Sequence, residues 1–321
     1  MIRVYKHEAG STECVEKVDP AWLQPDSGVM VWVDLDQPTP DEARILSDVF
    51  HFHELAVEDA VSEIHHPKVE SYGDYLYVIL HGIDFSAGDH CFKTRDVDFF
   101  VGPGFLVTVH PGVSRSIGHV AALCTRNPRI LGEGSAALMH RIVDTMVDNY
   151  RPEVDQLLER LDKLEKDVFG SPDALLGRQI LDFKRDVASL RRIVLPQRDV
   201  VGRLARREFP LISETLSYRF RDIYDSLVHL ADEAMFFQDR ITSLLEANLA
   251  TVSNQLNGIM KMLTLISTIF LPLSVLTGLY GMNVELPRLP GGEAAQFWWV
   301  LTIMAAVSTS MILMFRGRRW L

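Results

Sequence analysis

The chain has 321 residues, enough for one or two soluble domains besides any membrane segment, and its net charge of −11 argues against a nucleic-acid partner and for a body that meets cations. Cys14, Cys91 and Cys124 form no CxxC or other metal-ligand spacing, which argues against structural zinc or a disulfide framework and suits a reducing compartment. Met1 to His7 lacks the apolar core of a signal peptide, so the body is expected in the cytoplasm.

Residues 1–134 alternate strand-like and helix-like pieces, the pattern of an α+β domain built as an α/β sandwich. Val29–Leu35 reads as a strand. Pro38-Thr39-Pro40-Asp41-Glu42 opens a helix to about Phe50, with Thr39 as N-cap, Pro40 in the first turn and acids after it. A short helix covers Glu54 to Val61. Tyr75–Leu80, Asp96–Val101 and Phe105–Val109 read as strands, with Gly102-Pro103-Gly104 turning between the last two and His110-Pro111-Gly112 ending the sheet.

From Ser135 the period becomes helical. A helical pair is predicted over 135–212: one helix runs to Val168, Gly170-Ser171-Pro172 breaks it, and a second reaches about Arg207, with Pro196 as its kink or weak point. Asp155, Glu159, Asp162, Lys163, Glu165, Lys166 and Asp167 read as a solvated face with i,i+4 pairs of opposite charge. His65-His66, with His51 and His53 nearby, have the irregular spacing of surface or structural histidines rather than a transition-metal site.

A last long helix is predicted over 213–279, with no proline or glycine before Gly258, running into an apolar span at about 260–280. Such a helix of ~65 residues, roughly 100 Å, needs neighbours along its length, and identical subunits would supply them. No charge occurs from Met262 to Val284 or from Ala294 to Phe315, and each run exceeds the ~20 residues that cross a bilayer. The second span is predicted at 294–315, leaving 281–293 as a short external loop and 316–321 as a basic tail. Lys261, Arg316, Arg318 and Arg319 flank the spans, while the loop holds only Arg288 against Glu285 and Glu293. Both termini are therefore expected in the cytoplasm. Along the first span Asn257, Met260, Thr264, Ser267, Leu271, Ser274 and Gly278 recur at steps of three and four. That face fits either close helix packing or the wall of a pore made by several copies, since two spans cannot enclose a conduit. No phosphate loop, nucleophile elbow or HExxH is present, so an enzyme is not expected.

Tyr280-Gly281-Met282-Asn283 after a long helix, a second span and the Arg318-Arg319-Trp320-Leu321 end resemble the CorA family of magnesium and cobalt channels. Asn257 to Asn283 follows the family pattern nearly residue for residue. Val57-Glu58-Asp59, His66-Pro67-Lys68-Val69-Glu70, Asp144 and Phe220-Arg221-Asp222-Ile223-Tyr224-Asp225 extend the resemblance over essentially the whole chain. It implies a funnel-shaped homopentamer in the cell (inner) membrane. Its selectivity filter would be Gly281, Met282 and Asn283, and its pore would be lined by the first span, including an apolar constriction at Leu263 and Leu271 and a polar ring at Ser274. A neutral amide ring suits Mg²⁺, which keeps its water shell tightly. The family's regulatory metal sites match Asp59 and Asp222, with Glu58 and Asp144 beside them. Mg²⁺ is thus expected as substrate and regulatory ligand, with Co²⁺, Ni²⁺ or Zn²⁺ as further ions. Gly291-Gly292 and Pro196-Gln197-Arg198-Asp199 resemble the zinc-transporting, proton-coupled branch instead. A membrane-tethered sensor is the remaining alternative.

Overall fold

In the computed structural model the described residues are 1–24, 26–62, 66–83, 94–169, 175–282 and 292–318, and they divide into two compact units, Met1–Leu245 and Glu246–Leu321.

The first unit is built on a seven-stranded sheet with spatial order β2-β1-β3-β7-β6-β5-β4. Its strands are β1 (Ile2–Glu8), β2 (Ser11–Val15), β3 (Met30–Asp36), β4 (Lys68–Ser71), β5 (Leu76–Ile83), β6 (Thr94–Val101) and β7 (Phe105–His110). Only β3 and β7 run parallel, pairing Val31 with Phe105 through to Asp36 with His110; the other pairs are antiparallel. β1, β2 and β4 add to the strands expected from the sequence.

Between β3 and β4 come α1 (Pro40–Asp48) and α2 (Glu54–Val61). Thr39 caps α1 in both directions: its Oγ1 accepts from the Glu42 N–H at 3.3 Å, and its own N–H donates to Glu42 Oε2 at 2.9 Å. Leu46, Ala56 and Ala60 of these helices, with Phe52 between them, bury against Val31, Val33, Leu35, Phe100 and Val107 on one sheet face. Successive strand residues point to opposite faces, so Trp32, Asp34 and Thr108 belong to the other face. That side receives α3 (Arg115–Arg126), α4 (Arg129–Gly132) and α5 (Ser135–Asp148). Helix α3 follows directly after the sheet, where no element was expected.

The helix predicted from Ser135 to Val168 is divided at Asn149 into α5 and α6 (Tyr150–Phe169). α7 (Leu176–Ala205) runs through Pro196 without ending there. Gln197, beside that proline, is buried at the sheet edge: His81 N–H donates to its Oε1 at 2.8 Å, its Nε2 donates to the Tyr150 hydroxyl at 3.0 Å, and that hydroxyl donates back to the His81 carbonyl at 2.9 Å. β4 pairs with β5 only as far as Ile79. The Gln197 side chain and the Tyr150 hydroxyl therefore take over the His81 N–H and carbonyl beyond the end of the short strand's pairing.

α8 (Glu214–Tyr280) starts with the Leu216 N–H donating to Ser213 Oγ at 3.2 Å and contains Pro272. Its first part buries Leu216, Phe220, Ile223, Leu227, Leu230, Ala234, Phe237, Ile241 and Leu244 at helical spacing. The second unit holds the rest of α8 and α9 (Glu293–Gly317), two helices long and apolar enough to cross a membrane.

Candidate ion pathway and regulatory acids

Among the described residues nothing covers the apolar windows of α8 and α9; none of either window is buried. Leu263 and Leu271 are 57% and 69% exposed, in a stretch whose transfer to water would be strongly unfavourable. These surfaces require lipid or further copies of the chain.

All seven residues of the expected pore face, together with Leu263, lie on unbroken α8 helix, so the three-and-four spacing does place them along one side. The hydroxyls of this span divide into two kinds. Thr264 donates to the Met260 carbonyl at 2.7 Å, Thr268 to the Thr264 carbonyl at 2.7 Å, and Thr277 to the Ser274 carbonyl at 3.0 Å. Those donors are spent on the helix itself. The Ser267 and Ser274 hydroxyls have no such partner among the described residues, so they are the ones a hydrated ion or a neighbouring helix can use.

At the end of α8 the Gly281 N–H donates to the Thr277 carbonyl at 2.9 Å and the Met282 N–H to the Leu279 carbonyl at 3.3 Å. A Cβ on Gly281 would sit 3.0 Å from the Thr277 oxygen. A side chain there would crowd the carbonyl that closes the last turn. Asn283, Arg319, Trp320 and Leu321 lie outside the described residues, as do Gly291 and most of the expected loop. Beyond it Phe297, Trp298 and Trp299 are exposed near the start of α9, the aromatic arrangement found where membrane helices meet headgroups.

The four expected regulatory acids fall into two groups. Asp144 on α5 is partly buried, and its pKa is raised by burial first and then by the charges of Asp148 and Asp222. Asp144, Asp148 and Asp222 thus form one repelling set. Asp148 was not singled out from sequence, although it stands four residues from Asp144 on the same helix face. Asp59 and the exposed Glu58 are on α2. Lys68 Nζ contacts Asp59 Oδ2 at 2.6 Å and Glu70 at 3.1 Å, so within one chain Asp59 already has a cation beside it. Among the described residues no three His, Cys, Asp or Glu side chains of one chain converge to hold a metal.

The histidines near α2 have local duties. His51 Nδ1 is 3.0 Å from the Ser47 carbonyl, and His53 Nδ1 accepts from the Leu55 N–H at 3.2 Å as the N-cap of α2. His65 is outside the described residues. The charged run of α6 is less solvated than expected: Arg160 contacts Asp186 of α7 at 2.7 Å, and Arg240 of α8 reaches Asp162 at 3.0 Å and also Glu165. Part of that face ties three helices together.

Residues 27–319 match the family model described as CorA-like Mg2+ transporter protein. The chain belongs to the CorA family. It is 32% identical over 309 residues to the putative metal ion transporter YfjQ of Bacillus subtilis, covering 96% of this chain and 92% of that protein. It is 29% identical over 304 residues to the cobalt/magnesium transport protein CorA of Thermotoga maritima, covering 92% and 85%. The zinc transport protein ZntB of Pectobacterium carotovorum is a more distant relative, 24% identical over 276 residues, covering 86% and 83%. The complete structure of the CorA magnesium transporter from Methanocaldococcus jannaschii superposes with a TM-score of 0.85 over 100% of this chain and 99% of that one, at 21% identity. The fold is therefore the CorA fold: an N-terminal α/β sheet domain, a long helix and two C-terminal apolar helices. As a CorA-family member the chain is a divalent cation transporter.

Proposed function

We propose that the protein is a homopentameric channel of the cell (inner) membrane that admits Mg²⁺, with Co²⁺ and Ni²⁺ as further ions, and that both termini lie in the cytoplasm. The observation that carries this reading is the chain-long family match together with two apolar helices, long enough to cross a membrane and with exposed apolar windows, that flank Gly281-Met282-Asn283 in sequence. The Asn283 amides would ring the outer mouth and hydrogen-bond to the water shell of Mg²⁺ without stripping it. Below them Ser274 and Ser267 would offer hydroxyls. Leu271 and Leu263 would form a constriction that a water column leaves when the pore closes, with Asn257, Met260 and Gly278 on the same wall. Entry is driven by the ion gradient and by the membrane potential, worth about 2.3 kcal/mol per charge per 100 mV.

Regulation in this reading comes from Asp59 of one protomer facing Asp222 of the next, with Glu58 and Asp144 nearby. Mg²⁺ would neutralise these acids and favour the closed arrangement, and its loss would restore repulsion and favour opening. Lys68 is the ion's competitor for Asp59. Mg²⁺ should protect the wild type from proteolysis, and equal protection of Asp222→Ala would sink the role given to Asp222.

Zinc transport is the second reading, favoured by Pro196–Asp199 and by the ZntB relative. Mg²⁺ and Zn²⁺ flux into liposomes, with and without a proton gradient, separates the cases. Mg²⁺ flux indifferent to the proton gradient supports the channel; proton-dependent Zn²⁺ flux supports the second reading; a sealed liposome would leave only a membrane-tethered sensor.

A further inference from the structure

Two grooves flank α8 in the first unit, and their charges are opposite. The groove between α5, the start of α6 and α8 has a volume of about 640 Å³ and is lined by Asp148, Asp232, Glu233 and Phe236. Arg151 also lines it but is engaged by Glu233 at 2.7 Å and Asp155 at 3.2 Å, while Asp148 and Asp232 have no ion-pair partner among the described residues. The groove between α7 and α8, about 470 Å³, has a floor of Val187, Leu195, Pro196 and Ile241 under Lys184, Arg191 and Arg192, and no acid lines it. Arg191 donates to Gln238 at 2.6 Å; Lys184 and Arg192 have no ion-pair partner among the described residues. Phe236 is 52% exposed beside the acidic groove, with the guanidinium of Arg240, itself paired with Asp162 and Glu165, 5.3 Å from its ring.

Asp222, Ser226, His229, Glu233 and Phe236 follow one another at steps of four and three, a single stripe of α8. α7 runs antiparallel beside it, since Gly202 abuts Tyr224 and Arg191 meets Gln238. At the Gly202 end, Arg203 donates to the Val69 carbonyl at 3.0 Å, next to Lys68 and Asp59. The surface that carries Asp59 is therefore continuous with the basic groove along α7. When Asp222 of one copy is set against Asp59 of the next, Phe236, fourteen residues along α8 and so roughly 21 Å away, comes level with Arg192 and Lys184.

We infer that the occupant of the basic groove is a second copy of this chain: the face around Phe236 and Asp232 of one protomer seats on Lys184, Arg191 and Arg192 of its neighbour. The apolar ring meets the apolar floor, and the unpaired acids meet the unpaired cations. Because the two surfaces differ, the contact is head-to-tail, and repetition closes a ring rather than a two-fold dimer. This rests on the cyclic oligomer proposed above.

Cysteine pairs test it in the full-length protein. Asp232→Cys with Arg192→Cys, treated with a bifunctional maleimide, should give a ladder of covalent multimers, and neither single variant should exceed the background of the unsubstituted chain. Absence of a ladder in a double variant that still elutes as an oligomer overturns the assigned surfaces and leaves the oligomer standing. Dimers from either single variant also overturn them, since like surfaces would then meet. A monomeric protein overturns the oligomer itself. Independently, Lys184→Glu/Arg192→Glu should lower the temperature at which the oligomer dissociates, and adding Asp232→Lys should restore it; failure of that rescue overturns the ionic pairing.

Discussion

His110 presents Nε2 to Asp34 Oδ1 at 3.1 Å and Nδ1 to the Gly112 carbonyl at 2.6 Å, so both of its ring nitrogens face acceptors. Only the doubly protonated imidazolium can donate at both. The pair is buried between the parallel strands β3 and β7, where Thr108 also donates to Asp34 Oδ1 at 2.7 Å and Trp32 donates to Thr108 at 3.1 Å. Burial disfavours the charged ring, but the Asp34 hydrogen bond and charge, the Gly112 carbonyl and Asp36 outweigh it and raise the His110 pKa.

A raised histidine pKa adds stability that is complete below the unfolded value near 6.5 and is lost as pH rises through the folded value. The melting temperature of the full-length protein should therefore fall as pH rises above the ordinary histidine range near 6.5, and His110→Gln should flatten that slope. His140 has the opposite sign. Burial chiefly, with help from the Arg219 and Arg141 charges, lowers its pKa, so its contribution is lost as pH falls. A His110→Gln slope unchanged from wild type on the alkaline side would refute the imidazolium assignment.

Gln197→Leu keeps the volume near Pro196 but removes the side-chain acceptor of the His81 N–H and the amide that donates to the Tyr150 hydroxyl, which still donates to the His81 carbonyl. Losing the buried hydrogen bonds of Gln197 costs about 1–3 kcal/mol in all. The loss should appear in denaturant midpoints, and Gln197→Glu should also destabilise, because a carboxylate cannot donate to Tyr150.

Asp144→Asn should stabilise the protein in EDTA. Burial and the neighbouring Asp148 and Asp222 charges raise the Asp144 pKa. The ionised form is thus disfavoured on folding, and the cost grows as pH rises through the ordinary carboxylate range. In the regulatory reading the same substitution should shrink the rise in melting temperature that Mg²⁺ produces. A larger rise would contradict it.

Asn283→Ala should assemble at the wild-type size yet lose Mg²⁺ flux or discrimination by roughly tenfold, the equivalent of about 1.4 kcal/mol. Gly281→Ala should impair flux by another route, by pushing against the Thr277 carbonyl 3.0 Å away. Isotope uptake in liposomes measures both.

The long helices, both spans and the α1 cap were readable because each depends on neighbours in sequence: period, charge-free length, and a Thr39–Glu42 pair three residues apart. β1 and β2 were not read as strands, because their turn, Ala9-Gly10, uses positive φ at both positions with an alanine where Asn or Asp would signal it. Helix α3 did leave a signal in Ile117, Val120, Ala121 and Cys124, at steps of three, one and three, all buried. The parallel pairing of β3 with β7 joins residues about 74 apart, and no local pattern encodes it. The same holds for the site. Ser267 and Ser274 could be placed on a helix face from spacing alone, whereas the Asp59–Lys68 contact and the coupling of Asp144 to Asp222 depend on elements brought together by folding.

Pro272 has a consequence for the depth of the bilayer. A proline has no N–H, so the Thr268 carbonyl, four residues earlier in α8, lacks the donor that every other interior turn supplies. Hydrocarbon contains nothing to replace it, and a bare carbonyl facing lipid is costly. This one oxygen therefore acts as a compass for the helix: it favours rotations of the span that turn the Thr268 carbonyl towards water or a neighbouring helix rather than towards lipid.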